Sequence, residues 1–352
     1  MAKLQSGDYL VAFNESLVRQ PFMHPPSDPR YVNLVSRSRD RGFTWEAPRV
    51  APGYEWTGVE CPGITQISSG EVLLNQWQFK WYPLETGHKL AAGASDPEEI
   101  QAFDPKERQW RAFADVADWE RSPFPWARGD SGCFVSISRD AGATWDSTVK
   151  VDTSPHRRGY SPRPPTELED GTLLMSLGGH DSYRVIYVVR STDRGKSWGR
   201  QVAVAASKPG LSFSEPSILA LPDGKVLVVW RENIHGRLCQ SESYDGGRMW
   251  TPIRQTDMWG YPCHLVRLTD GRILCIYGYR RPPYGIRACL SMDQGETWDM
   301  ARELIIRDDM KNSNLGYPTA IEQDDGTILA AYYGENEEGV TYVLGSHFEL
   351  PF

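Results

Sequence analysis

Short apolar runs recur along the chain, each interrupted by a tight polar turn and resumed after it. The turn is Ser-Gly or Asp-Gly, at Ser6-Gly7, Ser69-Gly70, Asp170-Gly171, Asp223-Gly224, Asp270-Gly271 and Asp325-Gly326. Three residues beyond each glycine stands a leucine: Leu10, Leu73, Leu174, Leu227, Leu274 and Leu329. Apolar strands flanking a Gly turn predict a β-hairpin, because glycine accepts the positive φ that tight hairpin turns require. The last four hairpins are spaced 53, 47 and 55 residues apart, room for a four-stranded sheet with its loops.

A second pattern lies between the hairpins. The octapeptide S-x-D-x-G-x-[ST]-W begins at Ser38, Ser138, Ser191, Ser243 and Ser291 and ends on Trp45, Trp145, Trp198, Trp250 and Trp298; only Met249 breaks it. It reads as strand–turn–strand. The Asp side chain bonds backbone N–H groups across the turn, Gly takes φ > 0, and Trp covers the hairpin. With 13 Trp, 32 Gly and 25 Pro, the chain favours short strands and turns over helices. Six such sheets arranged radially leave no long free edge. The fold class expected is therefore all-β: a six-bladed β-propeller of four-stranded antiparallel blades, one domain over residues 1–352.

Residues 79–131 depart from the repeat and form an insertion in blade two. Asp96-Pro97-Glu98-Glu99-Ile100 predicts a helix start there, with a capping Asp or Ser and acids in the first turn. Trp81, Tyr82, Trp110, Trp119 and Trp126 make the insertion aromatic-rich. It reads either as a helical patch with its own small core or as a wall beside a pocket, stacking on sugar rings.

Lys and Arg number 38 against 46 Asp and Glu, a net charge of −8, which argues against nucleic acid or an anionic membrane as the main partner. No run approaches the roughly 18 apolar residues of a membrane span. The start, Met1 to Gly7, has no charged head followed by an apolar block; the expectation is no signal peptide, and a cytoplasmic protein if this start is native. Cys61, Cys133, Cys239, Cys263, Cys275 and Cys289 include no C-x-x-C pair; most read as free, buried thiols, with disulfides or a zinc site the less favoured alternatives. No metal-ligand spacing, phosphate loop or G-x-S-x-G is present, so no metal or cofactor is expected.

Propellers bind ligands on the central axis, where inner strands begin and loops converge. Nine residues before the hairpin glycine stand Cys61, Pro162, Glu215, Pro262 and Tyr317, so Glu215 and Tyr317 hold equivalent positions and face one cavity. A carboxylate beside a tyrosine can take the phenolic proton and make the oxygen a nucleophile toward an anomeric carbon. Neutral tyrosine also suits an anionic sugar, which would repel an attacking carboxylate.

The octapeptides are Asp-boxes, or BNR repeats, and nearly the whole chain resembles the sialidase superfamily of six-bladed propellers. That family's motif E-x-x-[apolar]-[apolar]-x-L-x-D-G-x-L-L-x-x-x-R is closely matched by the run Glu215 to Arg231, with Val226 in place of the first Leu after the turn, and Gly316-Tyr317-Pro318 resembles its nucleophile strand. The resemblance implies a retaining exo-glycoside hydrolase acting on a terminal acidic sugar at a glycan non-reducing end. Tyr317 would be the nucleophile, Glu215 its partner, Asp28 in the first blade the acid/base (His24 being an alternative), and Arg231 a carboxylate-binding arginine. Arg280, then Arg287, are the candidates for a second. The family's R-I-P arginine has no counterpart in this sequence; Arg19 and Arg163 could compensate in part. Glu60, His180 and His264 complete the candidate substrate-binding set. Two alternatives stand: an Asp-box glycosidase or lyase on a uronate-, rhamnose- or arabinose-containing glycan, using His180 and His264, and a non-catalytic glycan-binding propeller.

Overall fold

The structure is a computed structural model that describes residues 1–16, 27–53, 59–179 and 183–351. Six antiparallel sheets follow one another in chain order and form a six-bladed propeller. Blade one runs Ala2–Lys3, Tyr9–Glu15, Val32–Ser38 and Arg49–Val50; blade four runs Phe213–Ala220, Val226–Glu232, Arg237–Ser243 and Arg254–Trp259. Blade five repeats this plan from Cys263 to Arg307. Besides blade two, which carries the insertion, two blades depart from it. Blade three splits its inner strand into Gly159–Tyr160 and Thr166–Glu167, and blade six has three strands, Gly316–Glu322, Ile328–Glu335 and Thr341–Phe348.

The second strand of each blade explains the near-continuous apolar runs. Alternate side chains point to opposite sheet faces, and here both faces are covered by neighbouring blades. In blade four, Val226, Val228 and Trp230 join the core shared with blade three, whereas Leu227 and Val229 join the core shared with blade five. Six such cores lie between successive blades, the last joining Tyr9 and Val11 of blade one to Ile321 and Leu329 of blade six.

The two sequence repeats meet across these cores. In each Asp-box the Ser hydroxyl donates to Asp and accepts the Gly amide, while Asp accepts the amide and hydroxyl of the Thr or Ser four residues on. Met249 keeps the amide bond to Asp245, at 2.9 Å, and has no hydroxyl to add. The box glycine packs on the hairpin leucine of the preceding blade: Gly142 on Leu10, Gly195 on Leu73, Gly247 on Leu174 and Gly295 on Leu227. Gly42 packs on Leu329, carrying the series from blade one to blade six and closing the ring.

The insertion is built differently from its sequence expectation. Its second and third blade strands extend outward as Val72–Pro83 and Trp126–Ser138, a helix follows at Leu84–Gly93, and a hairpin pairs Gln101–Asp104 with Gln109–Ala112. No helix forms at Asp96–Ile100. Asp96 does cap, accepting the Glu98 amide at 3.0 Å, but the chain turns once and Ile100 drops into the insertion's core before the hairpin strand begins. Ile100, Ala102, Phe113, Val116 and Ala127 form a small core of the insertion's own, as in the first reading, and a separate aromatic cluster including Trp81, Trp110 and Trp126 packs with Cys61 and Tyr317. All six cysteines are buried free thiols. No helix among the described residues is long and apolar enough to cross a membrane.

Candidate active site

Three inner strands carry the same device. Cys61 in blade two, Glu215 in blade four and Tyr317 in blade six have φ of 53°, 51° and 48°. Each stands where its strand's pairing register shifts, and each precedes a proline. A β-bulge re-aims a side chain, and a non-glycine residue held left-handed costs on the order of 1–3 kcal/mol, a conformation that surrounding structure must impose. The residue before proline ordinarily prefers extended backbone. The repeat thus spends strain at three equivalent positions to direct side chains to the axis.

Two of them touch. The Tyr317 phenol donates to Oε1 of Glu215, and Nη1 of Arg231 donates to Oε2 at 3.0 Å. Burial alone would raise the Glu215 carboxyl; the Arg231 charge and the hydrogen bonds from Tyr317 and Arg231 outweigh it and hold the group below the usual carboxylate range. Burial and then the Glu215 charge push the Tyr317 phenol well up. The resting pair is a neutral phenol on an ionised carboxylate. Such a pair can pass the proton to Glu215 as the phenol oxygen forms a bond elsewhere.

Around this pair stand two arginines and an aromatic platform. The Arg231 guanidinium carbon lies 4.0 Å from the Tyr261 ring centre and that of Arg280 lies 5.3 Å from it. Arg280 also lies 6.0 Å from the Tyr317 ring, donates from Nε to the Leu315 carbonyl at 2.9 Å and from Nη2 to the Tyr333 hydroxyl at 3.3 Å. Tyr261 and Tyr333 are absent from the sequence candidates. Tyr333 had a signal: it lies seven residues beyond its hairpin glycine, as Arg231 does. Tyr261 had none beyond its place before Pro262.

Arg163 crosses the axis from blade three. Its Nε donates to the Cys263 carbonyl of blade five at 2.7 Å, and its Nη2 is buried without a hydrogen-bond partner among the described residues. Burial depresses its pKa, countered by Cys263, Glu215 and Tyr317. Glu60 stands beside Cys61, and burial followed by the Glu215 charge pushes its carboxyl up to about 8, so it holds a proton at neutral pH.

Asp28 is buried, with Oδ1 accepting the Arg30 amide at 3.0 Å and lying 3.7 Å from Arg30 Nε. Two candidates have other engagements. Arg287 lies on the third strand of blade five, Gly285–Ser291, where Nη1 bonds Glu303 at 2.6 Å and the guanidinium lies 3.6 Å from the Tyr279 ring centre. Glu303 also accepts the Tyr277 hydroxyl; the structure does not bring Arg287 to the Tyr317 pair. His264 accepts the Ala320 amide on Nδ1 at 3.2 Å, linking blades five and six, and burial with the Arg163 charge holds it neutral. Arg19, His24 and His180 lie outside the described residues.

Comparison with known proteins places this fold in a wider group. A protein of unknown function from Dyadobacter fermentans has a similar structure, with TM-score 0.79 and 23% identity over 99% of this chain and 93% of that one. The intramolecular trans-sialidase from Ruminococcus gnavus, solved with oseltamivir carboxylate, has TM-score 0.66 at 15% identity, covering 99% and 93%. An α-L-arabinanase from Penicillium chrysogenum, solved with arabinobiose, has TM-score 0.57 at 14% identity, covering 98% and 91%. No curated protein matches the chain by sequence. The BNR repeat-like domain matches residues 121–330, more than half of the chain, and the protein belongs to that family.

Proposed function

We propose that the protein is a retaining exo-glycoside hydrolase acting on a terminal acidic sugar, with Tyr317 as nucleophile. The observation that carries this reading is the relay of Tyr317 to Glu215 to Arg231. In the first step the Tyr317 oxygen attacks the anomeric carbon and its proton passes to Glu215. The bond to the aglycone oxygen breaks, and Asp28 protonates the departing oxygen. In the second step water attacks the same carbon from the face the aglycone left. Asp28 takes the water's proton, and the tyrosine oxygen recovers its own from Glu215. Two displacements at one carbon retain configuration.

Arg231 and Arg280 are the carboxylate-binding cations in this reading. Planar guanidinium groups meet a carboxylate with paired donors, and both of these pack on the ring of Tyr261. In blade one, Arg37 pairs with Asp8, Arg39 with Glu46 and Arg41 with Asp325, whereas Arg30 lies beside Asp28. Blade three supplies Arg163 as the further positive group near the pair. The trans-sialidase of similar fold supports the assignment.

The test is release of 4-methylumbelliferone from its sialic-acid glycoside by wild type and Tyr317→Phe. Turnover by wild type that the variant loses supports the reading; equal turnover by both sinks the nucleophile. The absence of an R-I-P motif from the sequence favours a second reading, in which the acidic sugar is a uronate. Wild-type release from an aryl uronide but not from the sialoside would select it. A product absorbing in the near ultraviolet would mark it as a lyase.

A further inference from the structure

The inserted segment of blade two touches the loop segment that carries Asp28. Trp110 Nε1 donates to the Ser27 hydroxyl at 3.0 Å, and Trp126 Nε1 donates to the Ser27 carbonyl at 3.1 Å. The Arg30 guanidinium lies 5.9 Å from the Trp126 ring centre, on the other side of Asp28 in sequence. Two indole donors from one insertion thus converge on the residue before the candidate acid. Both indoles are fixed in turn. Phe124 stacks on Trp110 at 5.6 Å and on Trp126 at 5.9 Å, and Trp81 meets both edge-on, at 5.5 and 6.4 Å. The same aromatic cluster continues through Phe79, Trp77 and Tyr160 to Cys61 and Tyr317 at the axis.

We propose that the insertion is a brace for the acid-bearing segment: Trp110 and Trp126 are positioning residues that hold Ser27, and through it set the Asp28 carboxyl relative to Tyr317. The physical case is rigidity. An acid must lie within hydrogen-bond reach of the oxygen it protonates, and a misplacement of about 1 Å can cost on the order of 100-fold in rate. A loop cannot hold that tolerance by itself, whereas two hydrogen bonds from stacked indoles, Trp126 buried and Trp110 half-buried, supply a rigid second support. The brace joins nucleophile and acid through one continuous packed cluster, so their separation is set by aromatic contacts rather than by the path of the chain. This inference rests on the reading of Asp28 as the acid.

The test uses Trp110→Phe, Trp126→Phe and the double variant, which keep a ring in the stack and remove the N–H donors. Hydrogen exchange is measured at the amides of Asp28, Arg30 and Tyr31. Turnover is measured on a sialoside with a good leaving group, 4-methylumbelliferone, and on sialyllactose, whose sugar leaving group needs a proton. In the double variant we expect exchange at these amides to rise about 10-fold or more. We also expect turnover of sialyllactose to fall about 10-fold or more while that of the aryl sialoside falls less than about 3-fold, since general acid catalysis is worth roughly 100- to 10,000-fold where it is needed. Trp110→Phe combined with Ser27→Ala should lose no more than Trp110→Phe alone, because both remove one hydrogen bond. Unchanged exchange overturns the brace, and equal losses on the two substrates overturn its role in placing the acid. Wild type that cleaves neither sialoside, or Asp28→Ala with equal losses on both, would count against the functional reading instead, and exchange would still decide whether the tryptophans hold the segment.

Discussion

Tyr317 and Glu215 are 102 residues apart in the chain, yet the phenol of one donates to the carboxylate of the other at the centre of the ring. The contact exists because blades four and six each place a left-handed residue at the same bulge, so that two copies of one repeat face each other. Replacing Tyr317 by Phe removes only the oxygen. Activity should fall by at least about 1,000-fold, with the melting temperature within a few degrees of wild type. Full activity in a folded Tyr317→Phe protein would contradict the assignment.

Arg231 holds the other oxygen of Glu215. Removing one member of a buried pair leaves a charge without compensation, which typically costs 3–5 kcal/mol. Arg231 retains some exposure, its side chain being 22% accessible, so the lower part of that range applies. Arg231→Met should therefore lose about 3 kcal/mol in urea unfolding and lose turnover as well. Arg231→Lys should recover more of the stability than of the activity, because a point charge cannot reproduce the guanidinium fork.

Glu60 predicts a pH dependence of stability. Its carboxyl is pushed up to about 8 in the fold, against about 4.3 in an unfolded chain. Between these values the folded state keeps a proton that the unfolded state releases. The stability from this group is therefore full below about pH 4, falls as pH rises, and is gone above about pH 8. Unfolding free energy measured from about pH 5 to about pH 8.5 should decline more steeply for wild type than for Glu60→Gln. Parallel slopes would mean that Glu60 is ionised in the fold.

The Gly142–Leu10 contact tests the ring itself. Gly142 has φ of 84°, and a methyl group there would stand 2.9 Å from Leu10 Cδ1, in a packed core. Gly171 has φ of 78° with nothing within 4 Å of such a methyl group. Gly171→Ala carries only the left-handed penalty of about 1–2 kcal/mol. Gly142→Ala should cost about 1–3 kcal/mol more, the usual cost of overpacking. Equal losses in denaturant titrations would mean that the blades do not depend on this contact.

The fold was legible because its two repeats are the two halves of one contact. The hairpin leucines and the box glycines recur in the sequence since each pair packs between neighbouring blades. Register on the hairpin glycine aligned Glu215 with Tyr317 for the same reason. What escaped was information that strand order does not carry. Arg287 is close in sequence to a promising loop, but its third-strand position turns it to Glu303. Tyr261 belongs to no motif, and only the packing of Arg231 and Arg280 on its ring shows its place. The helix of the insertion starts at Leu84 instead of following Asp96, because the Asp96 cap is spent on a single turn ahead of a hairpin. The hydrogen bonds from Trp110 and Trp126 to Ser27 span 83 and 99 residues and leave no trace in local pattern.

The covalent intermediate is the most direct test of the mechanism. A 2,3-difluoro sialic acid carries a leaving fluoride and slows the second displacement, so a tyrosine nucleophile accumulates as its glycosyl adduct. Wild type incubated with this reagent should gain the mass of one sugar, and peptide mapping should locate it on Tyr317. Tyr317→Phe should gain nothing. An adduct on Glu215 or any other residue, or none on a wild type that turns over the sialoside, would contradict Tyr317 as the nucleophile.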